Sequence, residues 1–475
     1  MKFEMVIGLE VHIQLKTKSK IFSNARTKYG QQPNSQVSWL DIALPGTLPV
    51  LNKKATEMAI KFGLATNATI SRNSFFARKN YFYPDLPKGY QISQSHNPII
   101  QNGTLDIQLK DNSIKTINIE RAHLEEDAGK SVHHFSGSDT GLDYNRAGTP
   151  LLEIVTQPEF RSAHEVITYL KTLHQLVKHI DICDGNMQEG SFRCDVNLSI
   201  REQGDKNLGT RAEIKNINSF KFIESAIHYE YDRQVNLVKS GDKIKQETRL
   251  YDQEKNETRA MRSKENAFDY RYFPDPDLLP VIITEESINK IKAEMPISLK
   301  ERQAKYASEL QEDDVKFLMS NSEIANYYDQ VNQIIHAKKA YNWVCINLQS
   351  VFNKLQISFS EHTIKASTLI QVIKLVDNNT ISLKSAKIVL QEYQLNPKDI
   401  NQIIDDLGLK QSNDLESIKR LADEIIANNP QTANEYREGK TKLLGFFVGQ
   451  IMKKSKGQAN PKQVSEIVIK QLTQP

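Results

Sequence analysis

A carboxylate and an imidazole two residues apart mark the first place where this chain could do chemistry. In "IGLEVHIQL", residues 7–15, a period of two puts Ile7, Leu9, Val11, Ile13 and Leu15 on one face of a strand and Gly8, Glu10, His12 and Gln14 on the other. Glu10 and His12 point the same way and can share one ion, where an ordinary half-buried strand shows Thr, Ser and Lys to water. "EGSFRCDVNLSIR" repeats the pattern: Phe192, Cys194, Val196, Leu198 and Ile200 alternate with Arg193, Asp195, Asn197, Ser199 and Arg201. "TRAEIKN" sets Arg211, Glu213 and Lys215 on one strand face. "ERAHLEEDAGKSVH" crowds Glu125, Glu126 and Asp127 beside Lys130. Such a run repels itself unless cations sit among the acids, which fits a hard-metal site or an acidic turn. Its GKS is not a P-loop, because Leu124 stands where that motif needs glycine. "ARKNYFYPDLPKGYQISQ" adds Arg78, Lys79 and Lys88 on a stiff basic loop. Together these stretches predict a concave surface of both charge signs. Binding a triphosphate with Mg²⁺ calls for that combination: carboxylates for the metal, and groups such as Arg78, Arg193 and Arg211 for the phosphates.

Strands bearing such faces need domains to hold them, and 475 residues suffice for two to four. Residues 1–293 read as α+β, strands and turns punctuated by Pro and Gly with a few helices. One helix follows Ser162 and Glu165, at capping-box spacing, with Val166, Leu170, Leu173, Val177 and Ile180 as its apolar stripe. Another runs through Ile223, Ile227 and Tyr231 and stops near Gly241. "YRYFPDPDLLPV" is extended, since its prolines stop any helix. Residues 294–405 read as an all-α domain and 406–475 as a small all-α tail. The tail begins with a helix turning Leu415, Ile418, Ala422 and Ile425 inward and ending at Pro430; two short helices follow, with Gly445 and Gly449 spaced for a close helix approach and Pro461 at a first helical position.

Charge confines any nucleic-acid affinity to a patch. Lys+Arg number 62 against 58 Asp+Glu, but from Lys440 onward Lys440, Lys442, Lys453, Lys454, Lys456, Lys462 and Lys470 face only Glu466. Lysines at the "KKSKGQANPK" turn suit phosphate contacts, or a solubilising terminus. Cys183, Cys194 and Cys345 make neither a disulfide framework nor a metal site. With no signal-peptide core and no membrane-length apolar run, the expectation is a soluble cytoplasmic protein.

The stretches "IGLEVHIQL", "LPGTLPVLN", "RKNYFYPDLPKGYQISQ", "HLEEDAGKS", "DYNRAGTPLLEIVT", "EGSFRCDVNLSIR" and "TRAEIKNINSF" resemble the signatures of the B subunits of bacterial aspartyl/glutamyl-tRNA(Asn/Gln) amidotransferases, and the resemblance runs the whole chain. It implies a cradle domain built on a mostly antiparallel sheet, a helical domain and a tRNA-contacting tail. It also implies an ATP- and Mg²⁺-dependent phosphorylation of the side-chain carboxylate of Glu-tRNA(Gln) or Asp-tRNA(Asn), followed by amidation with ammonia. The implied partners are an amidase, which releases ammonia from glutamine, and a small third polypeptide that clasps the two in a heterotrimer. Carried over by motif, Glu10, His12 and Glu125 are implied to bind metal, and Lys79, Lys88 and Glu125 to line the ammonia route. Glu126, Asp195, Glu213 and Lys215 lie in matching motifs as catalytic candidates, and Lys453, Lys454 and Lys456 are expected to contact tRNA. Many family members carry a zinc-binding cysteine cluster before LPGxLPV; "SNARTKYGQQPNSQVSWLDIALPGTLPV" has no cysteine, so a structural zinc is predicted absent and packing must hold this loop. Two other classes fit less of the chain: a non-catalytic tRNA-binding scaffold, and a free-standing carboxylate–amine ligase acting on a small molecule.

Overall fold

The computed structural model describes residues 2–94, 96–137, 139–263, 270–411, 415–455 and 459–473. Two compact units divide the chain, Met1–Leu299 and Lys300–Pro475.

The first unit is built on one large sheet. Its principal strands are β1 (Phe3–Gln14), β2 (Ala77–Asn80), β3 (Tyr90–Ser93), β4 (Ile100–Gln108), β5 (Ile114–Glu126), β6 (Pro150–Thr156), β7 (Phe192–Glu202), β8 (Ala212–Lys215), β9 (Glu247–Asp252) and β10 (Glu257–Ser263). They lie in the order β10-β9-β8-β7-β1-β6-β5-β3-β2, with β4 also paired to β5. All these neighbours are antiparallel except β8 and β9. The alternation read in the sequence is realised: Ile7, Leu9, Val11, Ile13 and Leu15 are buried, as are Phe192, Cys194, Val196, Leu198 and Ile200. They share one core with helices α1 (Lys53–Ala65), α2 (Ala163–His179) and α3 (Phe220–Lys239). Each fully buried aliphatic side chain in such a core contributes about 1.5–3 kcal/mol.

Helix α2 starts where its signal placed it, the Ser162 hydroxyl accepting from the Glu165 amide at 3.2 Å. The capping box is incomplete, because the Glu165 carboxylate accepts from the Arg161 amide and from Lys115 instead of the N-cap amide. Ser219 caps α3 in the same way, and Gly241 follows it with a φ of +82°. The proline-rich segment is extended, Phe273–Pro274 pairing with β2.

The second unit is helical and holds two hydrophobic clusters, one drawn from Tyr306–Ile404 and one from Ile418–Leu472. In the tail, Ile418, Ala422 and Ile425 are buried on helix Leu415–Ala427 as read. Leu415 is exposed, since it is the first helical residue and lies beyond the packed turn. Pro430 opens the next helix as well as closing the gap before it, and Pro461 opens the last. The close approach expected at Gly445 and Gly449 is absent among the described residues: a Cβ at either position would meet nothing within 4 Å. The described cysteines are all unpaired. No described helix is long and apolar enough to cross a membrane.

Candidate active site

The helices cover the apolar face of the sheet, and the polar face gathers the ionisable side chains. Register decides which of them meet. Glu10 on β1 lies opposite Asp195 on β7, His12 opposite Glu153 on β6, and Glu153 opposite His123 on β5. Residues directly opposite in an antiparallel pair point to the same face, so a row of acids and imidazoles crosses the middle of the sheet.

Two groups of ligating side chains result. His12, Glu125 and Glu153 offer ligand atoms that all lie within 4.8 Å of one another, and so do Glu10, Asp195 and Glu213. In the first group His12 Nε2 is 3.2 Å from Glu153 Oε2 and 3.8 Å from Glu125 Oε1. The second is held by Lys215, whose Nζ is 2.7 Å from Asp195 and 3.1 Å from Glu213, and by Asn197, which donates to Glu10 at 2.9 Å. Burial, then repulsion from Glu153, Glu213 and Asp195, holds the Glu10 carboxyl above its usual range. Burial works against the Lys215 ammonium, yet Asp195 and Glu213 raise it further above its ordinary value. A set of carboxylate oxygens with a neighbouring imidazole is the donor chemistry of hard divalent cations. The mutual repulsion of the acids is what such a cation would relieve.

Two cavities open on this face. One, of about 540 Å³, is lined by Glu10, His12, Arg211, Glu213, Lys215 and Thr248; the other, of about 620 Å³, by Ser93, Gln94, Arg121, His123 and Tyr272. Lys79 and Glu153 line both. The Lys79 ammonium lies 4.9 Å from the centre of the Tyr270 ring. Burial opposes its charge, but Glu125, Tyr272 and Glu153 hold its pKa above the ordinary lysine value, so it is a cation at neutral pH.

Among the residues singled out in the sequence, Glu10, His12, Lys79, Glu125, Asp195, Arg211, Glu213 and Lys215 fall in the two groups or on the cavity walls. The trio Glu10, His12 and Glu125 is divided, Glu10 joining the second group. Consecutive strand residues face opposite ways, which splits the acidic run as well. Glu126 is held by Lys88 at 2.6 Å and by the Ile92 amide at 2.8 Å, both partners buried. Asp127 accepts from Arg193 at 2.8 Å and from Gln14 at 3.0 Å, and burial notwithstanding, Arg193 and Arg146 keep it below the usual carboxylate range. Arg78 turns away from Lys79 onto Asp275 (2.9 Å) and Asp277 (2.8 Å), under the Tyr90 ring. Arg211 is exposed and has no ion pair among the described residues. Of the tail lysines, Lys453 is exposed, Lys454 pairs with Glu424, and Lys456 lies outside the described residues.

Glu153 and His123 were not singled out from the sequence. Glu153 is the lone carboxylate in the apolar run "PLLEIVT", and His123 alternates with Arg121 and Glu125, so both carried a period-two signal.

Comparison with known proteins identifies the family. Residues 5–289 match the GatB/GatE catalytic domain model and residues 326–472 the GatB domain model. The curated aspartyl/glutamyl-tRNA(Asn/Gln) amidotransferase B subunits of Francisella tularensis subsp. novicida (strain U112) and subsp. tularensis (strain WY96-3418) are each 62% identical over 99% of this chain and 100% of their own length. That of subsp. mediasiatica (strain FSC147) is 61% identical over the same shares. Matches of that extent, covering the sheet unit and most of the helical one, mean that the chain belongs to the GatB family of amidotransferase B subunits.

Proposed function

We propose that this chain is the GatB-type component that uses ATP to activate the side-chain carboxylate of Glu-tRNA(Gln) or Asp-tRNA(Asn) and then amidates it, with ammonia supplied by an amidase partner that a small third polypeptide clasps to it. The observation that carries the reading is the pair of three-ligand groups on one sheet face beside two cavities whose walls share Lys79 and Glu153.

A carboxylate resists ammonia because attack would have to expel oxide. Transfer of the γ-phosphoryl group to a carboxylate oxygen releases ADP and leaves an acyl phosphate. Ammonia then adds at the carbonyl carbon, the C–O bond to phosphate breaks, and the amide forms. Catalysis of such a transfer is chiefly positioning and electrostatics. His12, Glu125 and Glu153 would hold one Mg²⁺ and Glu10, Asp195 and Glu213 another. Bound there, the ions would neutralise phosphate charge. Lys79 and Arg211 supply the cations on the cavity walls, while Lys215, Arg78, Arg193 and Lys88 are already neutralised by acids and brace the site. Glu125, whose charge acts on Lys79, would also accept the proton that the attacking ammonia sheds, so Glu125→Gln should abolish glutamine-dependent transamidation.

The test is γ-phosphate release from ATP by this chain together with its amidase and clasp partners, with and without Glu-tRNA(Gln) and free ammonia. Release that requires the mischarged tRNA, together with Gln-tRNA formed when ammonia is present, supports the reading. Tight tRNA binding without ATP turnover would leave a scaffold.

A further inference from the structure

We propose that His123 is a positioning residue: its imidazole orients the carboxylates of Glu125 and Glu153 so that both converge, with His12, on one cation. The inference rests on the reading of that group as a metal site.

His123 sits two residues before Glu125 on β5 and opposite Glu153 on β6, so all three share the polar face. Its Nε2 is 3.7 Å from Glu125 Oε2 and 3.5 Å from Glu153 Oε2. His12 stands on the other side, nearest to Oε1 of Glu125. The Glu125 carboxylate is therefore flanked by two imidazoles, one at each oxygen, and Glu153 Oε2 is shared between them. His123 stands outside the set His12, Glu125 and Glu153, whose ligand atoms all reach one another, while its Nε2 contacts both carboxylates of that set, which is the relation of an outer partner. Groups in that place fix the rotamer and basicity of ligating side chains.

The other ring nitrogen supports this role. His123 is buried, and among the described residues its Nδ1 has no hydrogen-bond partner. Most buried polar atoms are hydrogen-bonded, so a ring nitrogen without a partner calls for an explanation. Here the polar contacts of the ring run through Nε2 toward the two acids, so what the imidazole offers the protein is their orientation.

Titration of Mn²⁺ alone into the full chain, followed by electron paramagnetic resonance and calorimetry, reads this directly. His12→Ala should remove one binding event from the wild-type isotherm. His123→Ala should weaken that same event about 10- to 100-fold. His123→Gln, whose amide nitrogen can take the Nε2 position, should restore most of the loss, whereas His123→Met should not. If His123→Ala fails to fold, the Gln and Met variants carry the comparison, because both fill the space and only one keeps the donor. Unchanged Mn²⁺ affinity in the His123 variants, beside a clear loss in His12→Ala, overturns the positioning role. Equal weakening in Gln and Met also overturns it and marks a packing role. Identical isotherms for wild type and His12→Ala would bring down the metal reading itself, and this inference with it.

Discussion

His12 shows how far one side chain can be moved by its neighbours. Burial works against its proton, but the hydrogen bond and charge of Glu153, with Glu125 and Asp195 behind, lift its pKa from an ordinary 6.5 to about 9. Glu153 moves the opposite way: burial would raise it, yet His123, His12 and Lys79 hold it well below the usual carboxylate range. With no cation bound, the imidazolium thus stabilises the fold at neutral pH. Because the folded pKa lies above the unfolded one, that stabilisation is fully present below pH 6.5 and is lost as the pH rises through about 9. Melting of the metal-free chain across this window should show a fall in Tm that is clearly smaller in His12→Gln. An equal fall in both would contradict the assignment. Metal must displace the same proton, so affinity for Mn²⁺ should increase over that window. The Glu10/His12 face was legible from its period of two, because only strand geometry was needed. Glu153 and His123 were harder to find, since their meaning comes from β6 lying between β1 and β5, a neighbour relation between strands far apart in sequence.

At the level of elements, alternation explains most of what was legible and also what was misleading. "EED" reads as one acidic cluster, but strand geometry sends Glu125 to the cavity side and Glu126 onto Lys88, and only the first joins the ligating group. The segment between β1 and α1 lacks the cysteines that would hold a zinc, and the structure shows what fastens it. Lys20 Nζ, fully buried, donates to Asp41 at 2.7 Å and to the Tyr144 carbonyl at 3.2 Å, and the Ser38 amide also donates to Asp41 at 2.7 Å. The fit leaves no slack: Gly148 has a φ of +76°, and a Cβ there would stand 2.7 Å from Asp41 Oδ1. Breaking such a pair leaves a charge buried alone, which costs about 3–5 kcal/mol, whereas replacing both partners with apolar groups is often nearly neutral. Lys20→Met should therefore lower stability by about that amount in urea unfolding, and Lys20→Met with Asp41→Leu should recover most of it. If the double variant is as unstable as the single one, the pair is not what holds the segment. With Mg²⁺ in excess, a zinc-selective chelator should leave the wild-type transition unmoved.

Over the whole molecule, the last helices form a separate hydrophobic cluster around Ile418, Phe447, Ile451, Val464 and Val468. That core is far from the chemistry in sequence, so its surface is free to serve another partner, and its lysines suit a phosphate backbone. They are not equivalent. Lys440 lies 3.1 Å from Glu435 and Lys454 is paired with Glu424, while Lys453 is exposed with no ion pair among the described residues. A lysine that must leave an acid before it meets a phosphate gives back part of what it gains, although an exposed pair of this kind is worth no more than about 1 kcal/mol. Binding of tRNA measured against salt should accordingly give a steep line. Lys453→Ala should reduce its slope by about 1, and Lys454→Ala should cost less affinity than Lys453→Ala. Glu424→Gln, which releases Lys454, should tighten binding. If all three variants follow the wild-type line, tRNA is not held at this turn, and if the line is flat, its phosphates are not neutralised by this chain at all.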